Sequence, residues 1–155
     1  MAVPKISILA AELIARIEQT PEFAGKGYSI YNLDDLVEQT AIQAMPAVGV
    51  SYGGMEPKEN SVGAVAQGSY SVSFNTVRFD VIFAVEYRAV GKEDAKVTAL
   101  DLLDQVRTTL IGYKAANARP WRLAGESPIG DDEGVIFYAQ TWETDIPLAG
   151  TFQQQ

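Results

Sequence analysis

The sequence predicts an α+β domain: a mixed, mainly antiparallel sheet with two main helices packed on one face. Three observations carry that reading. From Tyr70 to Arg88 apolar and polar residues alternate almost without a break, the period of a strand buried on one side. An amphipathic helical pattern, Lys92 to Lys114, follows within a few residues, and a second alternating run covers Gly134 to Pro147. At 155 residues and 47% apolar content the chain fits one domain, residues 1–155, with a core of its own. Within it the sequence predicts a long loop at 53–68 and a short C-terminal tail at 149–155.

The elements follow in order. Ile6, Leu9, Leu13, Ile14 and Ile17 recur at three- and four-residue spacing, one stripe of a core-facing helix from about Lys5 to Gln19 that Pro21 ends. Phe23 to Tyr31 reads as a connecting loop. Asn32, followed by Leu33-Asp34-Asp35, offers an N-cap and early acidic residues for a short helix through about Gln39. Ala47 to Tyr52 reads as a strand opened by Pro46 and closed by Gly53-Gly54. Met55 to Gly68, with Pro57, Lys58, Glu59 and Asn60, has the period of neither element and reads as a loop or hairpin extension. Tyr70, Val72 and Phe74 share one strand face. After a turn or bulge near Asn75, Phe79, Val81, Phe83, Val85 and Tyr87 share the next.

Val97, Leu100, Leu103, Val106, Leu110, Ile111 and Tyr113 mark a broad, well-buried stripe on the second helix. Arg119 to Leu123 reads as strand, Gly125 to Gly134 as an acidic turn region, and Val135 to Ile146 as a last strand bounded by Pro147. Both faces of that strand carry large apolar groups, which implies cover from the fold or from another subunit.

Composition removes most chemistry. Cysteine is absent, so there is neither a thiolate nucleophile nor a cysteine-ligated metal; histidine is absent too, which takes away the usual acid–base group near neutral pH and the commonest zinc ligand. Asp131-Asp132-Glu133 is acidic enough for a cation but lacks the alternate ligand positions and distal glutamate of a calcium loop, and reads as a solvated turn. Gly49 to Gly54 and Gly63 to Gly68 lack the Lys-Ser/Thr ending of a phosphate-binding loop. A net charge of −8, with the twelve Lys and Arg dispersed along the chain, argues against a nucleic-acid binder. The expectation is a protein with no catalytic residues, no metal and no cofactor. No apolar run approaches the ~20 residues of a membrane span, and Met1 to Ala11 lacks the regions of a signal peptide, so a soluble, unprocessed chain with no membrane contact is expected.

Taken in order, "ISILAAELIARIEQT", "AVGVSYGGMEPKE", "VRFDVIFAVEYRA", "DAKVTALDLLDQVRTTLIGYK" and "RPWRLAGESPIGDDEGVIFYAQTWETDIPL" resemble the tail terminator proteins of long-tailed bacteriophages, especially the Mu-like group. The resemblance covers nearly the whole chain and rests on order and spacing. It implies a homo-oligomeric ring, hexameric in this family, that caps the tail tube, ends its elongation and offers a joining surface to a neck or head-completion protein. DNA would pass through that ring without specific binding. The protein would belong to the virion tail, assembled in the host cytoplasm.

On this reading Met55, Lys58, Glu59 and Val62 are candidates for contact between the loop and the tube or a neighbouring subunit. Trp121, Arg122, Tyr138 and Trp142 are candidates for the subunit interface. Two rival readings share the missing chemistry. One is another phage ring component, a tail tube or head–tail joining protein. The other is a small-molecule-processing domain, which would need a deep pocket with converging carboxylates.

Overall fold

The two alternating runs become the longest strands of the molecule and pair antiparallel along their whole length. The computed structural model describes residues 4–42, 45–58, 70–115 and 118–151. Its elements are α1 (Ile6–Ile17), a 3₁₀ turn (Pro21–Phe23), β1 (Gly27–Ser29), α2 (Leu33–Ile42), β2 (Ala47–Pro57), β3 (Tyr70–Glu86), α3 (Lys92–Leu110), β4 (Arg122–Asp132) and β5 (Val135–Thr151). They form one five-stranded sheet in the order β1-β2-β3-β5-β4, parallel between β1 and β2 and antiparallel elsewhere. This is the α+β fold the sequence predicts.

The first sheet face is mainly apolar, with buried Asn75, Gln140 and Thr144 set among its apolar side chains. Val77, Phe79, Val81, Phe83 and Val85 of β3 stand beside Ile136, Trp142 and Ile146 of β5. Over them lie Leu9, Leu13 and Ile17 of α1 and Ala95, Ala99, Leu102, Leu103, Val106 and Leu110 of α3, so both main helices share this face. A fully buried side chain of this size contributes up to about 1.5–3 kcal/mol before ordering entropy is subtracted.

Among the described residues the reverse face is covered at one end, where Leu36 of α2 and Ile30 pack on Ile82, Ala84, Val135 and Phe137. Gly49 makes this possible, because a Cβ there would lie 2.5 Å from Ile30 Cδ1. The start of α2 is the predicted cap: the Asp35 N–H donates to Asn32 Oδ1 at 3.2 Å, while the Tyr31 N–H donates to Asp35 Oδ2 at 2.7 Å.

Several expectations are corrected. Gly27–Ser29, read as loop, is a strand held by Val48 to Val50, and α2 runs on to Ile42. β3 has no bulge near Asn75. Its pairing with β5 is unbroken from Tyr70↔Thr151 to Glu86↔Val135. The irregularity sits in β2, between Tyr52 and Gly54, where Gly54 adopts φ +113° and lets the strand continue to Pro57. Residues 53–57 are therefore strand, not loop, while 59–69, the remainder of the predicted loop but for Lys58, lie outside the described residues.

α3 ends at Leu110, and Val97, Leu100 and Ile111 of its predicted stripe are exposed. Ala95, Ala99 and Leu102 take the core positions, the two small alanines letting the helix sit close to the sheet. Residues 125–132, read as a turn region, are most of the edge strand β4, bulged at Leu123/Gly125 and Pro128/Gly130. β5 passes through Pro147 to Thr151, so 149–151 of the predicted tail are strand and 152–155 lie outside the described residues. The Arg119 N–H donates to the Asp145 carbonyl, and alternation turns the Pro147 nitrogen to that same side, beyond the last β4 pair at Arg122↔Glu143, where no ladder bond is lost.

Candidate interaction surface

At the end of the reverse face that α2 does not reach, the same two strands become polar. Across the ladder Thr76 faces Asp145, Arg78 faces Glu143 and Asp80 faces Thr141. Strand alternation puts these six side chains on one face, and β2 and β4 bring Lys58 and Arg122 to its flanks.

Asp145 is the centre of the cluster. Its Oδ2 accepts from Lys58 Nζ at 2.7 Å, and its Oδ1 accepts from Thr76 Oγ1 at 2.8 Å and Arg122 Nη2 at 3.1 Å. Glu143 Oε1 accepts from Arg78 Nη2 and Nε at 2.7 and 3.1 Å, and its Oε2 from Arg122 Nη2 at 3.2 Å. Thr141 Oγ1 donates to Asp80 Oδ1 at 3.0 Å. Burial pushes the Asp145 carboxyl upward, but the hydrogen bonds from Lys58, Arg122 and Thr76 outweigh it and hold the group below the usual carboxylate range. Arg78 is raised above its ordinary value by its hydrogen bond and charge contact with Glu143.

The two signs of charge lie at different depths. The side chains of Asp145 and Glu143 are 2% and 13% exposed, whereas those of Lys58, Arg78 and Arg122 are 39%, 44% and 45% exposed. The carboxylates form a floor and the cations form the surface. Arg119 joins them, its guanidinium 4.5 Å above the Phe74 ring on the same end of the sheet. Four of the twelve Lys and Arg are thus gathered on one face, beside the carboxylates of Glu56, Asp80, Glu143 and Asp145. Beside them a shallow groove of about 360 Å³ runs along Gly53 to Lys58 with Thr76, Arg78 and Glu143. Each of its carboxylates is either ion-paired or at the rim, and no nucleophile–base pair converges in it.

The predicted site residues separate. Lys58 belongs to this cluster, and so does Arg122. Met55 is half-buried against the main core next to Val77, so it anchors β2 and not a loop. Glu59 and Val62 lie outside the described residues. Trp121 and Trp142 are 1% and 0% exposed within the single chain, which corrects their assignment to a subunit interface. Trp121 packs edge-on to Phe79 with ring centroids 5.8 Å apart, and Trp142 Nε1 donates to Gln140 Oε1 at 2.9 Å. Tyr138 is half-buried beside the core under α3. Asp145, Glu143, Arg78 and Arg119 were not among the predicted site residues; the β3–β5 register brings Arg78 to Glu143 and Asp145, and Arg119 reaches the same end through the Phe74 ring.

At the opposite end of β5, Lys92 Nζ donates to Asp131 Oδ2 at 2.6 Å and Tyr87 Oη donates at 3.3 Å. The Lys92 hydrogen bond and charge hold Asp131 below its ordinary value. Asp132 and Glu133 are exposed, and the Glu133 carbonyl accepts from Arg88. Among the described residues no three acidic side chains converge as a metal site requires, and no helix is long and apolar enough to cross a membrane.

A family model described as phage tail terminator protein matches residues 8–151, from the first turn of α1 to the end of β5. No curated protein matches the chain.

Proposed function

This chain belongs to the phage tail terminator family, with a structural role in a phage tail, and from that premise we propose that copies of it form a ring, hexameric as in the Mu-like group, that caps the tail tube and ends its growth. Its partners on this reading are further copies of itself, the tail tube protein, and a neck or head-completion protein that joins the ring's other face. DNA passes through without specific binding, and the ring is a virion component assembled in the host cytoplasm. The observation that carries the reading is the extent of the family match, which takes in every element of the fold from α1 to β5. The ion-paired end of the sheet supports it, since an ordered surface on which no helix lies among the described residues suits contact with another protein better than catalysis.

The segment that follows Lys58 remains part of this proposal as a contact to the tube or a neighbour, with Glu59 and Val62 as its candidate residues. Half-buried Tyr138 is proposed for the subunit interface together with Arg122. Negative-stain microscopy of tails assembled with and without the protein tests the whole reading. The expected result is a ring at the head-proximal end of tails of uniform length, and overlong, uncapped tubes when the chain is left out. Uniform tails without the protein would sink it.

A further inference from the structure

Exposed cations lie over one end of the sheet and an acidic turn lies at the other, and we propose that they meet between copies: the Asp131–Gly134 turn of one chain docks on the Lys58, Arg78, Arg119 and Arg122 face of the next. This rests on the ring reading above and names the contact that builds it.

The docking face is set by the layering of its charges. Glu143 and Asp145 are sunk beneath the cations they hold, so a partner approaching the sheet meets ammonium and guanidinium groups first. The four cations stand against four carboxylates, Glu56, Asp80, Glu143 and Asp145, so the face is neutral as a whole, with two of the carboxylates sunk and the cations outermost. The floor also fixes the cations: Arg78 is held by two nitrogens, and Arg122 is shared between Glu143 and Asp145. Donors already held in place lose little side-chain entropy when a partner carboxylate arrives.

The occupant follows from charge complementarity. The β4–β5 connection is a tight turn in which Glu133 adopts φ +46° and Gly134 φ +88°, and it carries three exposed acidic residues. The Asp132 and Glu133 carboxylates have no side-chain partner among the described residues. β5 links this turn to Asp145, and ten residues of strand put the two patches roughly 30 Å apart. One chain cannot bring them together. A neighbour can, and the contact is heterologous, each copy giving its turn and receiving another's, which is the arrangement that closes into a ring or runs on as a filament. Duplex DNA suits the face less well, because its evenly spaced phosphates would also meet Glu56 and Asp80 on the same surface.

Carbodiimide, which joins an amine directly to a carboxylate, tests the contact on the wild-type chain in concentrated solution and on purified tails. Mixing ¹⁴N- and ¹⁵N-labelled chains marks the links that run between copies. The expected result is an intermolecular link from Lys58 to Asp132 or Glu133, beside the intramolecular Lys58–Asp145 link that serves as internal control. Its absence from both samples, or intermolecular links confined to other residues, would overturn the proposal.

Two variants sharpen the test. D132K/E133K and R78Q/R119Q should each weaken self-association at least tenfold with unchanged melting temperature, and an equimolar mixture of the two should form pairs and stop there. Rings that still form on tails with D132K/E133K would overturn this contact and leave the ring reading standing, whereas tails with no ring of the wild-type chain would overturn both. Loss of duplex DNA retention by R78Q/R119Q, with self-association intact, would reassign the face to nucleic acid.

Discussion

Strands β3 and β5 show two different solutions on the two halves of one face. At the end under α2, Ile82, Ala84, Val135 and Phe137 meet Leu36 and Ile30 in a small dry core. At the other end the same two strands present Thr76, Arg78, Asp80, Thr141, Glu143 and Asp145, and no helix among the described residues lies on them. The difference teaches that a helix is not needed to order a sheet face. A closed set of ion pairs and hydrogen bonds does so as well, with the distinction that it leaves charge on the outside. The apolar half is buried within the chain, while the charged half keeps its cations at the surface.

The comparison is broken most severely at the covered end. Phe137→Ala should cost about 3–5 kcal/mol, the loss expected when a buried aromatic leaves a cavity, and Leu36→Ala about 2–5 kcal/mol, both read by chemical denaturation. If either variant denatures like the parent, α2 is not held by this cluster.

A smaller effect is expected at the centre of the charged end. Asp145→Asn leaves Lys58 and Arg122 without their carboxylate and should cost about 1.5–3 kcal/mol, toward the lower figure because both cations can be rehydrated. The pH dependence has a definite sign. The folded Asp145 binds its proton less readily than an unfolded aspartate, so its contribution is present above the unfolded value of about 3.9 and is lost as pH falls through the lower folded value. The gap in stability between parent and Asp145→Asn should therefore be constant near neutrality and close below pH ~4. A gap that persists at pH 2 would assign the loss to packing and not to charge.

The least effect belongs to the outer layer. Arg78→Gln leaves Glu143 its second partner, Arg122, and should not move the melting temperature measurably. A clear drop would mean that the exposed cations stabilise the subunit itself, erasing the division between floor and surface.

Legibility in the sequence followed the same division. α1, β3 and β5 could be read because their cores impose a period, and α2 because Asn32 is a cap whose chemistry is local. β1 could not, since three residues are too few to show alternation and its strand form comes from pairing with β2. β4 was hidden by its own protection. Gly125, Pro128, Gly130, Asp131 and Asp132 look like turn residues because they blunt an exposed edge strand with bulges, charge and a missing donor. Trp121 and Trp142 fit both a core and an interface by composition, and only burial decides between them. The charged face left no linear signal, as Arg78 and Arg122 come from two strands and Lys58 and Arg119 from outside any strand.

The ladder that joins these regions also dictates when the molecule can be finished. β2 and β3 are neighbours in sequence and can pair as soon as both exist, but the other edge of β3 must wait for β5, across separations of roughly 50 to 80 residues that rank among the slowest contacts a small domain makes. Until the ribosome has released the stretch from Val135 to Thr151, a seventeen-residue strand keeps one side open. Nascent chains stalled before that point should stay protease-sensitive and prone to associate through β3, and the switch to a resistant subunit should come late and all at once.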